Sequence, residues 1–258
     1  MPLPLLLENR NNTICYLNSA LNLLYQVKDI RDFLAKNPVE NDEVLKEIKS
    51  IFTTKKSARK LAKMLRMKRG AQSSHEVLDK IVQRLPPALQ STMTLQYQKL
   101  TKCKKCGENL SPRKKSVFSV EVELLWTRPH TLKYLLQNQH IIKSCPKYDE
   151  VHKIYDFHKI TMDTKSLFVN VLQADPMPIK NLKPDEIFEI FGAKWVMKGA
   201  IVYIPDPSPQ YDYGEEGHSI SWTKHDGKWY KVSDEEMEIF DEFDTSRVDM
   251  EMMVFERV

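Results

Sequence analysis

No stretch of these 258 residues approaches the roughly 18 consecutive apolar positions that a membrane-crossing helix needs. The apolar opening, MPLPLLLEN, lacks a basic leader region and is cut by Pro2 and Pro4, so it does not read as a secretory signal. Cysteine is scarce: only Cys15, Cys103, Cys106 and Cys145 occur. In a chain expected to be intracellular, cytoplasmic or nuclear, so few thiols argue against a disulfide framework and turn attention to catalysis or metal binding. A strong excess of one charge is missing too, and the net +4 gives no reason to expect nucleic acid as a partner. No internal repeat and no long low-complexity segment occurs. What remains, 41% hydrophobic and 29% charged, is the composition of a globular chain long enough for one large domain.

Apolar residues at Leu17, Ala20, Leu21, Leu24 and Val27 follow a helical period over 15–27, with Cys15 in the first turn. A second helical pattern covers about 43–69. A third starts near Ser73 and ends before the Pro86-Pro87 breaker. After CKKCG the character changes. SVFSVEVELLW alternates and is β-branched, and further strands are expected at 154–162, 167–173, 195–204, 218–224, 228–232 and 250–257. A short helix is expected around 184–191. Helices first and antiparallel strands later predict an α+β fold.

A thiol at a helix N-terminus faces unpaired N–H groups and the positive end of the helix dipole, which favour the nucleophilic thiolate. Taken alone, a cysteine in this position is more often a small buried hydrophobe. His218 follows Gly217 at the start of an alternating strand, and a hairpin at Asp226-Gly227 returns the chain toward Ser233-Asp234. Nucleophile, base and a polar group to orient the base thus have compatible positions.

These residues carry a resemblance. NRNNTICYLNSALNLL resembles the cysteine box of the ubiquitin-specific proteases, Asn-x-Gly-Asn-Thr-Cys-Tyr-x-Asn-Ser. QSSHEVLDKIVQRL is similar to the family's Gln-x-Asp-x-x-Glu-Phe-Leu segment. GHSISWTKHDGKWYKVSDEEM resembles its histidine box, and VDMEMMVFERV its last strand. The landmarks occur in family order over nearly the whole chain. The resemblance implies a single catalytic domain over 1–258 with a papain-like fold: a helical thumb over about 1–95, shortened β fingers over about 96–165 and an antiparallel β palm over about 166–258. It implies a monomeric deubiquitinase that hydrolyses the bond after ubiquitin's C-terminal glycine, with ubiquitin or ubiquitinated proteins as partners and no cofactor for catalysis. By position, Cys15 becomes the nucleophile and His218 the general base. Ser233 takes the third place, usually Asp or Asn in the family, with Asp234 beside it. Gln72, Glu76, Gly217 and Trp222 become substrate-binding residues.

The chain departs from the family pattern before the nucleophile. Counting back without a gap puts Arg10 in the oxyanion position; treating Ile14 as inserted puts Asn9 there and Asn11 in the glycine's place. The inserted alignment is preferred, because Asn tolerates the left-handed conformation a glycine site needs, and a bulge at Ile14 is expected. A second reading follows from the same departures: a weak or inactive relative that binds ubiquitin or scaffolds a complex. A protease for a ubiquitin-like modifier is a third.

CKKCG is half of a zinc knuckle. The resemblance pairs it with Cys145 in the fingers, where Tyr148 stands in the fourth place and His152 or His140 could substitute. Two readings stay open: structural zinc on Cys103, Cys106, Cys145 and His152, or fingers held by packing alone. The basic run KKSARKLAKMLRMKR at 55–69 reads as a solvated helix face or as an anionic-surface contact. The acidic stretch 233–244 reads either as solvated or as a contact for a basic tail.

Overall fold

The computed structural model describes residues 3–9, 13–67, 73–102, 106, 109–123, 131–137, 140–145, 148–161, 164–172, 179–205, 217–246 and 248–258. The first third is helical: α1 (Cys15–Gln26), α2 (Lys28–Lys36), α3 (Glu43–Thr54), α4 (Arg59–Met64), α5 (Ser74–Val82) and α6 (Pro87–Ser91). Strands dominate the rest: β1 (Leu95–Lys102), β2 (Asn109–Val117), β3 (Ser119–Glu123), β4 (His140–Cys145), β5 (Tyr148–Thr161), β6 (Ser166–Leu172), β7 (Phe188–Ile190), β8 (Ala193–Pro205), β9 (Gly217–His225), β10 (Lys228–Ser233), β11 (Glu236–Phe240) and β12 (Asp249–Arg257). One more helix, α7 (Leu132–Gln137), lies between β3 and β4. The class is α+β. Among the described residues no helix is long and apolar enough to cross a membrane.

Two sheets form. One has four strands in the order β2-β1-β5-β4. The other has eight: β11-β10-β9-β8-β12-β6-β3 along the path, with β7 beside β8. Pairing in the larger sheet is antiparallel except between β3 and β6. Two of its hairpins turn on adjacent left-handed residues, Phe191-Gly192 (φ 57° and 74°) and Asp226-Gly227 (φ 46° and 82°). Two left-handed residues give a two-residue loop whose twist matches that of the strands.

The first of these turns corrects the helix expected around 184–191. Its apolar residues belong instead to β7, where Phe188 pairs with Trp195 and Ile190 with Ala193. The helical pattern over 43–69 also divides. α3 starts at Asp42, whose carboxylate accepts from Val44 N at 2.9 Å and Leu45 N at 3.1 Å, and it stops at the left-handed Lys55. α4 follows with Leu61 buried, as is Leu65 just after it, while Lys60 on the outer side pairs with Glu47. Residues 68 and 69 of the basic run lie outside the described residues.

α1 is the central helix. Eleven of its twelve residues are buried, Tyr25 being the exception. Its Leu17, Leu21 and Leu24 join α2, α3, α5 and one face of the large sheet in a continuous apolar core. A second core, containing Trp195, Trp222, Trp229, Phe243 and Phe255, fills the other side of that sheet. The N-terminal segment runs beside α1 and is pinned there: Leu5 N donates to Asn22 Oδ1 at 2.8 Å, and Asn22 Nδ2 donates back to Leu5 O at 3.0 Å.

Candidate active site

Ile14 caps α1 with φ −134° and ψ 20° and offers no side-chain bond to the first turn. Its own side chain is 6% exposed and belongs to the core. The bulky residue ahead of the thiol is thus an anchor for the helix start. The side chain of Asn9 stabilises this approach, its Oδ1 accepting from Thr13 N at 3.1 Å and Ile14 N at 3.3 Å. Arg10 and Asn11 lie outside the described residues.

Cys15 then opens the helix, 7% exposed and facing β9. Backbone hydrogen bonds from Ser219 and Tyr16 favour its thiolate, but burial, Asp234 and Glu251 oppose it. Burial is the largest influence, and the thiol is pushed above its ordinary range. Four residues along the same helix face, Ser19 Oγ donates to Ser219 O at 2.9 Å, locking α1 to the strand that carries His218.

His218 is the second residue of β9, opposite Ile204 on β8. The β9–β10 ladder pairs Val232 with Ser221, so Ser233 lies diagonally from His218 on the neighbouring strand. The imidazole Nε2 and Ser233 Oγ are 2.8 Å apart, and Asp234 Oδ2 lies 3.9 Å from the same nitrogen. Asp234 has φ 53°, which turns the chain between β10 and β11 and aims the carboxylate back toward α1. There Asn18 Nδ2 donates to Oδ1 at 2.7 Å and Asn9 Nδ2 donates to Oδ2 at 2.9 Å. The peptide group of Asp234 also accepts from Leu7 N at 3.0 Å.

The structure therefore gathers Cys15, His218, Ser233, Asp234 and Asn9 at the meeting of α1, β9 and the β10–β11 turn. Asn9 contributes by holding Asp234 and the turn before Cys15; its amide is committed there. Three further participants escaped sequence reasoning. Asn18 holds Asp234, Ser74 at the start of α5 holds Glu251, and Glu251 itself stands behind the thiol. Asn18 had a signal, lying three residues after Cys15 within the quoted box. Glu251 had none, being one charged residue in an apolar strand.

Of the residues assigned to substrate, Gln72 lies outside the described residues. Glu76 is in the first turn of α5, exposed and ion-paired to Lys80 at 2.9 Å, and its charge reaches the Tyr16 hydroxyl. Gly217 lies under the Tyr203 ring, which occupies the space a side chain would need. Trp222 is stacked on Phe243 with ring centroids 4.4 Å apart, inside the second core, so it stabilises the sheet rather than lining an open surface.

Of the metal candidates, Cys103 lies outside the described residues, and Cys106 sits half-buried in the turn between β1 and β2. Cys145 pairs with Tyr148 near the β4–β5 turn, whereas His152 pairs with Lys143 further along. β1 and β5 pair Lys102 with Tyr155, which brings the β1–β2 turn closer to the level of His152 than to that of Cys145. Among the described residues no group of three or more His, Cys, Asp or Glu could hold a metal ion.

No protein-family model matches the chain, and no curated protein sequence matches it either.

Proposed function

We propose that the chain is a thiol-dependent deubiquitinase with a papain-like catalytic arrangement, cleaving the peptide or isopeptide bond after ubiquitin's C-terminal glycine. One observation carries the reading: His218 has its Nε2 engaged by Ser233 at 2.8 Å with Asp234 at 3.9 Å, and it stands next in the chain to Ser219, whose backbone hydrogen-bonds the Cys15 thiol. With Nε2 turned to the orienting pair, Nδ1 is the nitrogen left to take the thiol proton. The thiolate attacks the carbonyl carbon, and the developing oxyanion falls to backbone N–H at the start of α1, because the Asn9 amide already serves Asp234. The imidazolium then protonates the leaving amine. Water activated by the neutral imidazole then cleaves the thioester and frees ubiquitin. The order of the cysteine and histidine boxes supports ubiquitin as the substrate class.

A specific observation favours a second reading, in which the chain binds ubiquitin with weak or no turnover. The Asn that the family resemblance assigns to the oxyanion is spent on Asp234, and the thiol is both buried and raised. Incubation with ubiquitin carrying a C-terminal electrophile separates the two readings. Hydrolase function predicts a ubiquitin-sized adduct on Cys15 that Cys15→Ala abolishes. Binding without an adduct overturns turnover and leaves the second reading. Reaction only with a ubiquitin-like modifier bearing the same electrophile would reassign the substrate.

A structural zinc in the four-stranded sheet is a separate proposal. The levels of Cys145 and His152 are two residues apart on β4 and four on β5, roughly 7–13 Å along the ladder. That spacing supports Cys103 and Cys106 with one of the two, and metal analysis of the purified chain tests it.

A further inference from the structure

β12 does not pair evenly with β8. Met250 lies opposite Val202 and Met252 opposite Ile201, so Glu251 is the extra residue of a β-bulge. A bulge re-aims the side chain it carries. Here it sends a carboxylate toward the first turn of α5 and the back of β9. Glu251 Oε1 accepts from Ser74 N at 2.6 Å, and Oε2 accepts from Ser74 Oγ at 3.1 Å and from Ser219 Oγ at 3.5 Å. Ser74 is fully buried and Ser219 is 5% exposed. A half-buried carboxylate held by three donors is specific in its placement, and mere packing would be served better by an apolar residue. Ser219 links this cluster to the thiol, since its backbone hydrogen-bonds Cys15 while its hydroxyl faces Glu251.

We infer that Glu251 is a positioning residue for the nucleophile: its carboxyl ties the start of α5 to Ser219 behind Cys15. The inference rests on Cys15 being the nucleophile of the proposed reaction. The charged and titratable groups that act on Cys15 are Asp234 from the β10–β11 turn, Glu251 from β12 and the neighbouring Tyr16 of α1, with His218 next in the chain to the Ser219 whose backbone bonds the thiol. His218 can accept the thiol proton, whereas Asp234 and Glu251 both resist the negative charge that would remain. Asp234 also stands beside the imidazole, 3.9 Å from its Nε2. Glu251 adds to burial, the larger influence, in resisting the thiolate.

The test is the ionisation of Cys15 in the parent chain and in Glu251→Gln, which keeps the shape and removes the charge. Two readouts follow it. One is the thiolate absorbance difference against the matching Cys15→Ala chain; the other is alkylation of Cys15 by iodoacetamide, followed on its peptide by mass spectrometry. Loss of the charge should lower the Cys15 midpoint. For each unit of that fall the thiolate fraction at neutral pH rises about tenfold. Intrinsic nucleophilicity falls about threefold, for a net gain near threefold in alkylation rate. Glu251→Met, of similar length and uncharged, gives the same readout if the amide variant fails to fold. An unchanged or raised midpoint in the folded variant overturns the inference and leaves Glu251 a structural residue. Neither readout needs ubiquitin, so absence of a ubiquitin adduct would remove the proposed function while the midpoint still decides the role of Glu251.

Discussion

Asp234 is the residue whose removal should be felt most widely. Asp234→Ala strips the acceptor from Asn9 Nδ2 at 2.9 Å and from Asn18 Nδ2 at 2.7 Å. Asn18 is 1% exposed but keeps the Leu7 carbonyl at 3.2 Å, so its loss belongs at the low end for bonds to a charged group, about 1.5 kcal/mol. Asn9, 7% exposed, loses the acceptor of its amide nitrogen, which costs about 2 kcal/mol. Alanine at φ 53° adds about 1 kcal/mol, because it lacks the local hydrogen bonding that lets Asp sit there. The Asp234 side chain is 12% exposed, so solvent screening removes little of the effect. The expected loss is therefore about 4.5 kcal/mol. Asp234→Asn retains one oxygen and tolerates the backbone, and should lose about half as much. Ser233→Ala removes only the contact to His218, worth about 1 kcal/mol. Urea denaturation followed by tryptophan fluorescence ranks the three. The reasoning fails if Asp234→Ala is as stable as the parent, or if Ser233→Ala is the more damaging change.

Gly217→Ala should cost about 1–3 kcal/mol through collision with the Tyr203 ring, and should be nearly neutral when introduced into Tyr203→Ala; equal costs in both backgrounds would contradict the contact. A pH effect follows from Glu251. Burial lifts its carboxyl above the ordinary 4.5, so the folded chain holds the proton more tightly than the unfolded chain does. Its contribution is fully present below pH 4.5 and is lost as the pH rises through the folded value. Subtracting the Glu251→Gln stability curve from the parent's should reveal that loss, and parallel curves would refute it.

Much of the architecture was legible because local chemistry agreed with the long-range packing. The stripe ending at Val27 and the Asp226-Gly227 turn announced α1 and the β9–β10 hairpin at nearly their observed limits. The helix expected around 184–191 failed for a local reason, since the left-handed Phe191-Gly192 pair converts its apolar residues into a hairpin. LQYQKLTK, which forms β1, lacks the clean apolar alternation that marks a half-buried strand. α2 was hidden because the extended Val27 breaks the chain directly after α1. At the site, the thiol, the imidazole and the turn could be read from short motifs. The partners of Asn9, Asn18 and Glu251 could not, because each bond depends on a register or a turn set elsewhere in the chain.

The arrangement around Asp234 also constrains when the site can exist. Its bonds to Asn9 and Asn18 span 225 and 216 residues, near the longest separations this chain offers. Contacts of such range close only after the intervening elements have condensed, because loop-closure entropy opposes them until then. During synthesis α1 emerges early, while β9, the β10–β11 turn and β12 emerge last. Until they arrive, the amide nitrogens of Asn9 and Asn18 lack the Asp234 carboxylate, Ser19 lacks the Ser219 carbonyl, and Cys15 lacks both carboxylates and the Ser219 backbone. An unfinished chain thus carries an ordinary cysteine. The chemical character of the thiol is acquired in the last step of assembly.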